Sequence, residues 1–128
     1  MKGVLVIAHG SRAKETEIAL KEVVDIAAEI VGRDALGAPC ENPAVEYAFM
    51  QLSDKTIESG IASLAEKKVT EIKIVPYFLF MGIHMKEDIP NEVGEIMKKY
   101  PDIKMVMGEP IGNDKQRLAE ILADKIKD

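Results

Sequence analysis

The chain has 128 residues, 47% of them hydrophobic and 30% charged, a balance that suits one packed domain and excludes a disordered chain. Its formal charge is −5, and no Lys/Arg-rich run offers a phosphate track, so a general nucleic-acid binder is not expected. No apolar run reaches the length of about 18 residues that a membrane helix needs, and the single Cys40 can form neither an intramolecular disulfide nor a CxxC zinc site.

Residues 3–8 are short, β-branched and apolar on both faces, as a central parallel strand requires. No leader is read ahead of them, and with Cys40 expected to be a loop or core thiol without a role, the expected compartment is the cytoplasm. Residues 13–31 have helical spacing, with Leu20, Val23, Val24, Ala27, Ile30 and Val31 expected inward and Gly32 as the stop. Residues 32–43 read as a loop. Ala44–Phe49 alternates and is expected to be a strand. Ser53 or Asp54 is the expected cap of a helix over about 54–67, with Ile57, Ile61, Leu64 and Ala65 inward. Residues 71–76 form the next strand. A helix is expected over 88–99, which keeps Pro90 in its first turn. Ile103–Met107 is a further strand, and 114–127 closes the chain as a helix. Four βα units in succession predict a parallel sheet with helices on both faces, a three-layer α/β/α domain.

The two histidines are the chain's only ones, and each follows a buried-looking apolar run. His9 ends Val4–Ala8 and opens His9-Gly10-Ser11-Arg12. His84 follows Ile74–Ile83, and Gly82 before it suggests a special backbone conformation or a close ligand approach. Ligands bind beyond the carboxyl ends of parallel strands, so a metal or proton-transfer site is the first reading. The plain alternative is a hydrogen-bonded histidine at a strand end. Phosphate-loop motifs and the GxSxG elbow are missing. Glu46 is a carboxylate inside an apolar stretch, either a ligand or proton acceptor near the histidines or a solvent-facing strand position. Phe80, Met81 and Met85 suit packing, or an apolar wall for a flat substrate.

Taken together, Val6-Ile7-Ala8-His9-Gly10-Ser11-Arg12, Glu46-Tyr47-Ala48-Phe49-Met50, Val75 through His84 and Asp88-Ile89-Pro90 resemble the small class II tetrapyrrole chelatases, the sirohydrochlorin cobaltochelatase family. The pieces span most of the chain in the expected order. The resemblance implies metal ligands at His9 and His84 and an acidic helper at Glu46, with Gly10, Ser11, Arg12, Phe80, Met81 and Gly82 against the substrate. It implies Co²⁺ as the substrate ion, with Ni²⁺ or Fe²⁺ as alternatives, no tightly bound cofactor, and insertion into sirohydrochlorin on the anaerobic route to cobalamin. Longer relatives carry two such domains, so this chain, residues 1–128, corresponds to one half and is expected to form a homodimer around a shared cavity. Neither nucleic acid nor membrane is expected as a partner.

Imidazole suits Co²⁺, Ni²⁺ and Fe²⁺; Arg12 is the local cation expected for the substrate's carboxylates, while Lys14 and Lys86, the other candidates, read more simply as solvated surface charges. Two other classes compete. A metal carrier would use the same histidines but has no need of the apolar wall. A flavodoxin-like or receiver-like domain fits the βα order but leaves both histidines unexplained.

Overall fold

A computed structural model describes residues 1–33, 35–38 and 42–128; Cys40 lies outside the described residues. The elements are β1 (Lys2–Ala8), α1 (Lys14–Val31), β2 (Ala44–Phe49), α2 (Ile57–Glu66), β3 (Glu71–Pro76), α3 (Ile83–Met97), β4 (Lys104–Met107), a 3-10 turn (Ile111–Asn113) and α4 (Lys115–Lys127). The strands form one parallel sheet in the order β2-β1-β3-β4.

Alternation along each strand divides the core in two. Leu5, Ile7, Ala48, Ile72 and Ile74 meet Ile57, Ile61 and Leu64 of α2 and Ile89, Val93 and Met97 of α3 on one face. On the other face, Ala8 and Phe49 meet Leu20 and Val24 of α1. Tyr47 ties this smaller core down. Its hydroxyl donates to Glu17 Oε2 at 2.8 Å. Loss of solvent first, and the Glu17 carboxylate second, push the phenol up to about 12, because both disfavour a buried phenolate.

Three expectations change. α1 buries only Leu20 and Val24; Val23, Ile30 and Val31 are 43%, 67% and 50% exposed. The apolar stripe of α1 is therefore wider than the sheet beneath it. Thr56, rather than Ser53 or Asp54, caps α2: its Oγ1 accepts from the Ser59 amide at 3.1 Å, while Ser53 Oγ accepts from the Lys55 amide one turn earlier. α3 starts at Ile83, so Pro90 lies inside it instead of in the first turn. Gly82 supplies the extended N-cap (φ −69°, ψ 167°). The last helix begins as expected, with the Asp114 carboxylate accepting from the Arg117 amide at 3.1 Å. Among the described residues, no helix is long and apolar enough to cross a membrane.

Candidate functional site

In the order β2-β1-β3-β4 the chain leaves β1 toward one side and β3 toward the other. α1 and α3 then lie on opposite faces, and the loops after β1 and β3 splay apart. Such a reversal opens a crevice beyond the carboxyl ends of the strands. His9 is the first residue after β1, and His84 is the second residue of α3, reached from β3 through Tyr77–Gly82. Both imidazoles are exposed at this edge. Backbone bonds fasten the loops around His9: the Met50 amide donates to the Ala8 carbonyl at 3.0 Å and the Tyr77 amide to the Ile7 carbonyl at 2.7 Å. The Phe78 ring stands edge-on to His9, centroids 6.4 Å apart.

Gly10 is required where it stands. Its φ is +106°, and a Cβ there would lie 2.1 Å from the Gln51 carbonyl oxygen, so neither backbone angle nor space admits another residue. The same approach brings the Gln51 amide to His9, with 3.2 Å between Gln51 Nε2 and His9 Nε2. The sequence reading missed Gln51. A polar residue without a motif carries little signal, although its place two residues beyond β2 puts it at the edge where His9 emerges.

Ser11 turns the chain into α1, its Oγ accepting from the Ala13 amide at 3.1 Å, which leaves the hydroxyl proton to donate elsewhere. Arg12 is exposed and lines a cavity of about 440 Å³ with Ser11, Lys14, Phe49 and Ser53. Glu46 does not join the histidines. It pairs with Leu5 in the sheet, four residues short of His9, about 13 Å at the rise of a strand. Alternation turns it to the α2 side, where its carboxylate meets Lys67 Nζ at 3.0 Å. It is a structural ion pair on the flank.

Phe80 is 89% exposed, and Met81 packs partly on the large core. Both line a cavity of about 780 Å³ with Leu79, Met107, Lys86 and Lys115. An apolar wall with ammonium groups at its rim suits a flat, multiply carboxylated ligand. Gly82 lies in a φ region open to any residue, and nothing stands within 4 Å of where its Cβ would be. The expected backbone peculiarity is therefore not there; what its missing side chain leaves is open space beside His84. Among the described residues, no three His, Cys, Asp or Glu side chains gather in one place. The edge offers two imidazoles and one neutral amide, a donor set too sparse to cage an ion.

Comparison with known proteins gives the family. The CbiX family model matches residues 3–128. The chain is 34% identical to a sirohydrochlorin ferrochelatase of Priestia megaterium over 128 residues, all of this chain but only 44% of that protein. It is 35% identical to a sirohydrochlorin cobaltochelatase of Sulfolobus acidocaldarius over 98% of this chain and 89% of that one. Among solved structures, the sirohydrochlorin chelatase SirB of Bacillus subtilis subspecies spizizenii in complex with cobalt superposes with a TM-score of 0.74 and 29% identity, over 89% of this chain and 45% of SirB. A CbiX protein of Marinobacter aquaeolei shares the fold, with a TM-score of 0.77 at 22% identity over 99% and 95% of the two chains. The chain thus spans about half of its longer relatives and nearly all of its shorter ones, and it belongs to the CbiX family.

Proposed function

We propose that this chain is a cytoplasmic sirohydrochlorin cobaltochelatase, which inserts Co²⁺ into sirohydrochlorin and acts as a homodimer of single domains, each equivalent to one half of the longer chelatases. The observation that carries the reading is that His9 and His84 both follow strands at the edge where the strand order reverses, with Phe80 and Met81 in the segment that leads from β3 to His84. A metal carrier needs the histidines but not the wall.

Insertion requires an ion held loosely, two pyrrole N–H protons removed, and a ring bent so that its nitrogens meet the ion. His9 and His84 provide nitrogen donors suited to Co²⁺, and imidazole is also the side chain whose proton exchange falls near neutral pH. One imidazole nitrogen cannot carry an ion and a proton together. A twofold dimer supplies a second His pair, so that one pair can hold the ion while the other accepts protons. Glu46, neutralised by Lys67, has no part in this. Arg12 grips a substrate carboxylate, and the Ser11 hydroxyl with the opening amides of α1 takes another. Phe80, Met81 and the space at Gly82 receive the face of the ring.

The test is anaerobic insertion followed by the absorbance of sirohydrochlorin with Co²⁺, Fe²⁺ or Ni²⁺. Protein-dependent insertion, fastest with Co²⁺ and lost in folded His84→Ala, is the expected outcome. A faster rate with Fe²⁺ reassigns the ion and keeps the chemistry, a second reading favoured by the longer relatives named ferrochelatases. No acceleration with any ion, or full activity in His84→Ala, overturns the proposal.

A further inference from the structure

The cavity of Phe80 and Met81 holds two charges that the histidines do not use. It opens past the carboxyl ends of the paired strands β3 and β4, where α3 and α4 begin. The 3-10 turn forms one wall. The Gly112 amide donates to the Phe78 carbonyl at 3.0 Å, and a Cβ on Gly112 would lie 1.8 Å from the Leu79 carbonyl oxygen. Only glycine lets the turn lie so close to the segment that leads to His84. The turn thereby fixes the start of α4 near the start of α3, and Lys115 and Lys86 line the same cavity. From sequence alone Lys86 reads as a surface charge, and Lys115 carries no signal.

Both lysines are exposed, and among the described residues neither ammonium group has a carboxylate partner. The acid that lines this cavity, Glu109, accepts instead from the Asn113 side-chain amide. Each lysine stands in the first turn of its helix, and neither helix has an acid there. The positive end of the helix dipole disfavours a cation in that turn. A carboxylate in the cavity offsets this repulsion and gives both lysines a partner. Leu79 and Phe80, 54% and 89% exposed, share the cavity with Met81 and Met107. The anion that fits is therefore one carried on a flat apolar body.

We infer that Lys86 and Lys115 are a carboxylate clamp that decides which macrocycles the protein accepts. The inference rests on the tetrapyrrole reading above and gives it a second anchoring side. Arg12 lines a different cavity, with Phe49 at the end of β2. In the order β2-β1-β3-β4, His9 leaves β1, between β2 and the β3–β4 pair. A ring held over His9 meets Arg12 on one side and the two lysines on the other. A macrocycle with carboxylates round its whole rim satisfies both sides. One with carboxylates on a single edge leaves one set of cations facing hydrocarbon, and that unpaired charge discriminates against it.

Binding of metal-free porphyrins, followed by fluorescence, tests the clamp without metal insertion. The probes are uroporphyrin, with carboxylates round the whole rim, and deuteroporphyrin, with carboxylates on one edge. Wild type is expected to prefer uroporphyrin. Lys86→Gln/Lys115→Gln, folded by circular dichroism, is expected to bind uroporphyrin about tenfold more weakly, the loss of two exposed charge pairs, and deuteroporphyrin nearly as before. Lys86→Arg/Lys115→Arg keeps the wild-type preference. A wild type that binds neither probe overturns the tetrapyrrole reading and the clamp together. Three outcomes overturn the clamp alone: uroporphyrin binding that survives in the Gln variant, a loss equal for both probes, or an Arg variant that behaves like the Gln one.

Discussion

The two faces of the sheet are built to different standards. Under α2 and α3, Leu5, Ile7, Ile61, Leu64, Ile72, Ile74, Ile89 and Val93 are completely buried. Under α1 the smaller core rests on Ala8, Leu20, Val24 and Phe49, and none of these is fully closed. The closed face is dry hydrocarbon and supplies the cohesion of the isolated chain. The second face is finished only over β1 and β2. The cohesion of the single chain is thereby assigned mainly to one side of the sheet.

Neighbouring residues of β3 give the sharpest contrast. Ile74→Ala on the closed face is expected to cost about 2–5 kcal/mol in chemical denaturation, a cavity that packed neighbours cannot fill. Gly10→Ala, at the edge where both faces end, combines a positive φ with a collision against Gln51. A loss of about 1–3 kcal/mol in the same assay is expected, together with slower insertion because the Gln51 amide is displaced from His9. Tyr47→Phe on the second face should cost about 1 kcal/mol, the bond to Glu17. It also carries a signature in pH. The folded phenol is raised from 10.0 to about 12, so its contribution is whole below pH 10 and fades as pH rises toward 12. Wild type should lose stability across that window and Tyr47→Phe should lack that slope. Val75→Ala, next to Ile74 but half-buried, should cost under about 1 kcal/mol where the chain is dilute enough to be monomeric. Equal losses at positions 74 and 75 would show that both faces are closed in the single chain. Smallest is Glu46→Gln. Lys67 is 46% exposed, so stability should change by less than about 1 kcal/mol and insertion not at all. A large fall in insertion would return Glu46 to the reaction.

Period and punctuation made much of the fold legible. β2 and β3 run over the residues that alternation predicts, and both histidines stand at the edge to which the βα order sends them. What failed did so for local reasons. Placing Pro90 in a first turn delayed α3 by five residues and left His84 outside the helix that carries it. Periodicity marks an apolar stripe on α1 without revealing what lies beneath, so Val23, Ile30 and Val31 read as core although each is exposed. Glu46 was misplaced because a motif fixes sequence order but not height along a strand. Gln51 went unnoticed because its importance comes from Gly10 letting two loops approach, a contact across 41 residues of chain.

Pro90 has a consequence for how α3 is braced. Its nitrogen bears no hydrogen, so the Lys86 carbonyl loses its usual acceptor role inside α3. The turn carrying His84 is thereby joined to the remainder of the helix by one rung fewer, while Val93 and Met97 anchor the other end in the core. The missing rung lies about a turn and a half beyond His84, so the turn that carries the imidazole is the less firmly braced part of α3, while Ile89, Val93 and Met97 hold the remainder in the core.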